Sequence, residues 1–255
     1  MFDIPIQALM GQLLIGLING AFYALLSLGL AVIFGLLNII NFAHGAQYML
    51  GAFGAYLLMS KLGLNYWWSL LIVPIVVGAT ERTMLVRLYK LDHLYGLLLT
   101  FGLALIFEGL FRNEFGSSGL PYSIPSQLQG GVNLGFMFLP IYRGWVIIAS
   151  LVVCLGTWFL IERTRLGGYL RAATENPQLV QAFGINVPRM ITLTYGFGVG
   201  LAALAGVMAA PVYQVSPQMG ESLIIVVFAV VVIGGMGSIM GAIVTASGDA
   251  SLRLV

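Results

Sequence analysis

Residues 4–60 contain no Asp, Glu, Lys or Arg. A helix crosses the hydrocarbon core of a bilayer in about 20 residues, so this stretch is long enough for two crossings. Four further stretches, 62–80, 144–161, 190–220 and 222–248, also lack formal charge. Across the chain 8% of residues are charged and 60% hydrophobic. A soluble domain carries about 25% charged residues, so too little polar surface remains here to hold a globule in water. The strand-period alternation of a membrane β-barrel is absent. The sequence therefore predicts an all-α, polytopic transmembrane helix bundle, a single membrane domain over residues 1–255.

The charge-free runs divide into helices near 8–35, 45–60, 66–80, 93–111, 144–161, 189–210 and 221–233. An eighth apolar segment starts at 239 and turns polar at Thr245–Asp249, so the last helix is expected to be cut short after about 247. Polar and glycine-rich interruptions at 36–44 and 234–238 predict broken or re-entrant helices, giving about 7–8 membrane segments. Arg82, Arg87 and Lys90, with Arg163, Arg165, Arg171 and Arg189, supply seven of the eleven Lys and Arg residues. Basic residues mark cytoplasmic loops, so 81–93 and 162–189 face the cytoplasm and the N-terminus faces outward. No Lys or Arg precedes the first apolar run, unlike a cleaved signal peptide. Segment 112–143, with Gly116, Gly119, Pro121, Pro125 and Gly130, reads as irregular loop packed on the outer face. Trp67, Trp68, Tyr122, Tyr142 and Trp145 suit the headgroup level. Gly16/Gly20, Gly196/Gly200 and Gly237/Gly241 have the spacing that lets membrane helices approach closely.

Two segments carry polar groups in patterns that point to function. Asn38, Asn41, His44 and Gln47 recur every three residues, a spacing that places them on one helical face. Loose backbone at a broken membrane helix offers donors and acceptors to a solute. The same residues would equally satisfy an interfacial turn. Gly234, Gly235 and Gly237 form a second break, either a counterpart of the first or a close helix contact. One histidine makes no metal site, and His44 reads as a hydrogen-bonding residue or a pH-sensitive one. Residues 165–188 contain helical stretches around 168–175 and 178–183. Asn176-Pro177 opens the second and Gly184 closes it. They form either a short helical hairpin offered to the cytoplasm or an amphipathic loop on the headgroups.

This second segment, with Gly167, Arg171-Ala172 and Asn176 followed by Ala182-Phe183-Gly184-Ile185-Asn186, resembles the coupling segment of the branched-chain amino-acid permeases of ABC importers (LivH and LivM type). Asn38-Ile39-Ile40-Asn41-Phe42-Ala43-His44-Gly45 with Met49–Ala52 is similar to the LivH signature. Leu97–Gly102 and Val231–Ser238 resemble two further blocks, so the likeness spans about residues 10–245. It implies a permease of the bacterial inner membrane that translocates branched-chain amino acids. Urea, short amides or other amino acids are the alternative substrates. Its partners would be a second permease (LivM type, or another copy), two cytoplasmic ATPase subunits and a periplasmic substrate-binding protein. Gly167, Arg171, Ala172, Glu175, Asn176 and Gly184 would meet the ATPase.

The chain contains no Gly-x-x-x-x-Gly-Lys-Ser/Thr phosphate loop, so ATP and Mg belong on partner subunits and no cofactor is expected here. The permease is expected to have no catalytic or metal residues. Its basic residues are split between loops, which argues against nucleic-acid binding. An ion-coupled carrier would need buried carboxylates in the crossings. An intramembrane enzyme would need a convergent nucleophile and base, and the chain has two histidines and one cysteine, Cys154.

Overall fold

The structure, a computed structural model, describes residues 6–84, 93–135, 137–235 and 238–252. It is built almost entirely of helices. α1 (Ile6–Leu30) is apolar on all sides and runs directly into a π-helical segment, Ala31–Leu36. α2 (His44–Leu62) ends at Gly63, whose φ of 64° is open to a residue without Cβ. α3 (Tyr66–Met84) contains Pro74, and α4 (His93–Phe115) follows. Beyond the outer loop come α5 (Ile141–Glu162), α6 (Arg165–Glu175) and α7 (Pro177–Ala182). α8 (Val187–Tyr213), α9 (Glu221–Ile233) and α10 (Ile239–Leu252) complete the order. The helix thus continues past residue 247, where it was expected to stop. Of the basic loop 81–93, residues 85–92 fall outside the described residues.

Among the described residues, four helical spans are long and apolar enough to cross a membrane: Leu9–Leu36, Leu94–Phe115, Ile141–Glu162 and Val187–Tyr213. Tyr66–Thr80 and Glu221–Ile233 are shorter apolar helices. The chain is a multi-pass helical membrane protein.

α8 is the centre of the bundle, with α1, α2 and α3 packed along it and α10 packed along α1. Lipid tails are as apolar as leucine, so helix association in a membrane depends on close van der Waals contact. α8 meets that need with glycine and alanine. A Cβ on Gly206 would strike the Tyr48 carbonyl of α2. One on Gly198 would lie 2.8 Å from the Gly29 carbonyl of α1, and one on Gly196 2.9 Å from the Gly78 carbonyl of α3. The Gly196/Gly200 pair therefore serves helix contact. Gly16 and Gly20 are buried in α1. α4 lies at the periphery, with Leu98, Phe101, Leu105 and Leu110 exposed.

The outer loop is more ordered than its glycines and prolines imply. It contains a 3-10 turn, Ser126–Leu128, and an antiparallel hairpin of β1 (Gly131–Asn133) and β2 (Phe138–Pro140). Gly130 and Gly135 take positive φ, and the Asn133 side chain accepts from the Gly135 amide at 2.9 Å. Leu120 and Val215 exchange two backbone hydrogen bonds, 2.8 and 2.9 Å, tying the loop to the α8–α9 connection. Tyr122 is buried in this loop, and burial pushes its hydroxyl above the usual tyrosine range.

The expected aromatic belt is in part an aromatic core. Tyr142 is buried, its hydroxyl 2.8 Å from the Met208 carbonyl and 3.0 Å from the Tyr66 hydroxyl. Trp67 and Trp145 pack edge to face beside them. Trp68 is exposed.

Candidate functional site

The break after α1 is built from its backbone. The π-helical turn carries the chain to Leu37, and Asn38 then adopts φ 54°. Asn tolerates this left-handed conformation better than most residues with a Cβ. The chain recovers a helix at His44, whose amide donates to the Asn41 carbonyl. Asn41, His44 and Gln47 are all buried. The Asn41 amide donates to Gln47 Oε1 at 2.9 Å. His44 Nε2 lies 2.9 Å from the Leu26 carbonyl, so this nitrogen carries the proton and α2 is tied to α1. Asn41 Oδ1 is buried with no hydrogen-bond partner among the described residues. The structure thus gathers three of the four predicted residues. Asn38 is exposed and stands apart.

Gly234 and Gly235 occupy a different turn, between α9 and α10. A Cβ on Gly234 would lie 2.7 Å from the Gly241 carbonyl, so the two helices touch there at backbone distance. Gly235 takes φ 93°. Gly237 lies outside the described residues.

A cavity of about 430 Å³ was not visible in the sequence. Asn19, Phe22 and Tyr23 of α1, Tyr48 of α2, and Tyr213, Ser216, Gln218 and Met219 line it. The Tyr213 hydroxyl donates to Asn19 Oδ1 at 2.8 Å, and the Phe22 ring meets Tyr213 edge-on. None of the lining residues is formally charged. The cavity lies close to the buried cluster, since Tyr48 adjoins Gln47 and Leu26 is about one helical turn from Tyr23. Gln214, at the rim, has φ 61° and ψ 154°, a strained conformation for a residue with a Cβ. The signal that could have found this cavity is Asn19 between Gly16 and Gly20, opposite the polar run 214–218.

The hairpin 165–188 is capped at each corner. The Thr164 side chain accepts from Leu166, and Asn176 Oδ1 accepts from the Leu179 amide at 3.0 Å with Pro177 opening α7. Gly184 turns the chain at φ 83°, and Asn186 Oδ1 accepts from Arg189 to start α8. Ala173, Val180 and Val187 form a small apolar core inside the hairpin. Arg171, Ala172, Glu175, Asn176 and Gly184 are exposed. Gly167, in α6, is buried, and a Cβ there would strike the Ile161 carbonyl of α5, so it serves the close α5–α6 contact. Arg171 bridges to Glu162 at 3.2 Å. Leu179 and Phe183, which the sequence did not single out, are 55% and 78% exposed and form an apolar tip. Thr174 Oγ1 reaches the Leu36 carbonyl at 2.8 Å, where the π-helical segment ends.

The chain is similar over most of its length to known transport proteins. The family described as "Branched-chain amino acid transport system / permease component" matches residues 12–247. BraD of Pseudomonas aeruginosa, a high-affinity branched-chain amino acid transport system permease protein, is 29% identical over 91% of this chain and 80% of its own length. LivH of Escherichia coli K12, described in the same words, is 28% identical over 91% of this chain and 81% of its own. A fructose import permease protein, FrcC of Rhizobium meliloti, is 32% identical over 43% of this chain and 33% of its own. No solved structure matches the chain. With its fold and with this match over nearly the whole sequence, the chain belongs to the branched-chain amino-acid permease family of ABC transporters, whose members perform no catalysis of their own.

Proposed function

We propose that this chain is the membrane-spanning half of an importer that moves leucine, isoleucine and valine across a bacterial inner membrane. ATP hydrolysis on separate cytoplasmic ATPase subunits drives it, and ATP and Mg are held there. The observation that carries this reading is the 2.8 Å hydrogen bond from Thr174 to the Leu36 carbonyl. It joins the exposed hairpin to the end of the π-helical segment, immediately before the break that leads into the buried Asn41–His44–Gln47 cluster. A displacement of the hairpin reaches that break without passing through a flexible linker.

The whole chain acts as one permease domain of 7–8 membrane segments, with the N-terminus periplasmic and α6–α7 cytoplasmic. Arg171, Ala172, Glu175, Asn176 and Gly184 meet the ATPase, with Leu179 and Phe183 supplying apolar contact. Gly167 sets the angle of α6. The solute enters the uncharged outer cavity from a periplasmic binding protein. It then passes the Asn41 cluster, and Asn38, Gly234, Gly235 and Gly237 are assigned to the same pathway. Phe22, Met219 and Leu223 give an apolar wall for a branched side chain, and the hydroxyl and amide groups around them suit a zwitterion. A second permease, of LivM type or another copy, completes the path.

The test is reconstitution of the chain with its ATPase and permease partners in liposomes. ATP-dependent leucine uptake is expected. Uptake of urea, a short amide or fructose with none of leucine would overturn the substrate assignment. Solute flow with no ATPase present would overturn the coupled mechanism.

A further inference from the structure

A second apolar cavity lies away from the proposed solute path. It is a groove of about 850 Å³ between α3, α5 and α8. Its floor is formed where the backbones of α3 and α8 touch at Gly78, Gly196 and Gly200, so no side chain fills it. Gly156 faces it from α5, and a Cβ there would meet nothing within 4 Å. The wall on α8 runs from Thr192 to Leu204, about 18 Å at 1.5 Å per residue. One leaflet of the hydrocarbon core is about 15 Å deep, half of about 30 Å.

A second groove of about 380 Å³ adjoins the first and shares Leu160, Leu193 and Phe197 with it. Both grooves are apolar. The hydroxyls of Thr164 and Thr192 are used within their own chain, on the carbonyls of Leu160 and Pro188. The end near the α6 hairpin is basic. Thr164, in the wall of the first groove, stands between Arg163 and Arg165. Leu166 and Met190, in the wall of the second, directly follow Arg165 and Arg189. Arg163 is engaged with the Trp158 ring and Arg171 with Glu162. Arg165 and Arg189 make no ion pair among the described residues.

We propose that these joined grooves hold one anionic diacyl phospholipid, with an acyl chain in each branch and the headgroup phosphate on Arg165 and Arg189. Two apolar branches that share Leu160, Leu193 and Phe197, with Arg165 and Arg189 one position along the chain from their lining residues, match two chains on one phosphate. A helix from a second permease would present one ridge and would need an acidic residue at the arginines. The depth of the groove matches one leaflet. The inference rests on the chain's place in the membrane and not on which solute it transports.

The test is native mass spectrometry of the purified full chain, exchanged into micelles with equal phosphatidylglycerol and phosphatidylcholine. One phosphatidylglycerol per chain is expected, in preference to phosphatidylcholine. Arg165→Gln and Arg189→Gln should each reduce that preference roughly fivefold. Gly156→Trp should abolish retention of either lipid, while Gly156→Ala keeps it. If Gly156→Trp does not fold, the arginine variants decide alone. Equal retention of both lipids by the wild type and the arginine variants would overturn the proposal. So would a dimer of this chain that binds no lipid and dissociates in Gly156→Trp, because the groove would then be a contact between copies.

Discussion

The hydroxyl of Thr174 lies 2.8 Å from the carbonyl of Leu36, a residue 138 positions earlier in the chain. It also lies 2.9 Å from the Leu170 carbonyl of its own helix, so one proton is shared between a local and a distant acceptor. Thr174→Val keeps the shape of the side chain and removes that proton. A single hydrogen bond contributes about 1 kcal/mol net, so the variant should still fold and assemble. Fewer solute molecules should be transported per ATP hydrolysed, measured in liposomes. An unchanged ratio would exclude this bond from the coupling route.

Asn176 caps two helices at once. Its backbone amide closes α6 on the Ala172 carbonyl, and its side chain opens α7. Replacing an N-cap Asn by Ala costs about 1 kcal/mol. Asn176→Ala and Glu175→Ala should leave the membrane helices intact while raising ATP hydrolysis that is not matched by uptake. Phe183→Ala, which removes an exposed apolar ring, should weaken co-purification of the ATPase.

His44 holds α2 to α1 through the Leu26 carbonyl in a fully buried position. His44→Leu leaves that carbonyl without the bond, and a buried unsatisfied group costs about 1–3 kcal/mol. A lower melting temperature in detergent and reduced uptake are expected together. Asn38 offers a contrast, because its backbone is the constrained part. Asn38→Gly should preserve stability, since glycine takes the same left-handed backbone without cost. Asn38→Val should lose stability, by about 1–3 kcal/mol for a strained left-handed residue.

Tyr213 and Asn19 close one side of the cavity of about 430 Å³ through a hydrogen bond of 2.8 Å. Tyr213→Phe should raise the KM for leucine several-fold with little change in assembly, read from uptake at graded leucine concentrations. A kcat change at constant KM would place the pair in a later step.

Glycines on different faces should respond in opposite ways. Gly206→Ala drives a Cβ into the Tyr48 backbone and should reduce the amount of folded protein. Gly102→Ala, on α4, meets nothing within 4 Å. It should gain about 0.5–1 kcal/mol from helix propensity. Size-exclusion profiles and thermal shifts of the two variants make the comparison.

The helical spans were legible because charge is so scarce in the membrane that long charge-free runs stand out. Asn176-Pro177 and Gly184 located the hairpin, as each has a local conformational role. Boundaries shifted where local chemistry extends a helix past its apolar run. α5 begins at Ile141, just after Pro140, and not at Gly144. The β1–β2 hairpin leaves no trace in the sequence because its strands are three residues each, too short to display a period. The cavity has no local sequence signature, because Asn19, Tyr48 and Tyr213 converge from three separate helices, and an isolated Tyr in an apolar run resembles packing. Gly167 matched a family pattern, yet sequence pattern alone does not distinguish an exposed glycine from one pressed against a carbonyl.

α8 spans 27 residues, about 40 Å of continuous helix. One end starts just beyond the turn at Gly184, and the other delivers Tyr213 and the strained Gln214 to the outer loop. Glycine and alanine let it slide against three neighbours with few interlocking side chains to unlatch. Under the proposed mechanism, a displacement at the hairpin would travel along this rod to its far end, with the helix itself as the transmission.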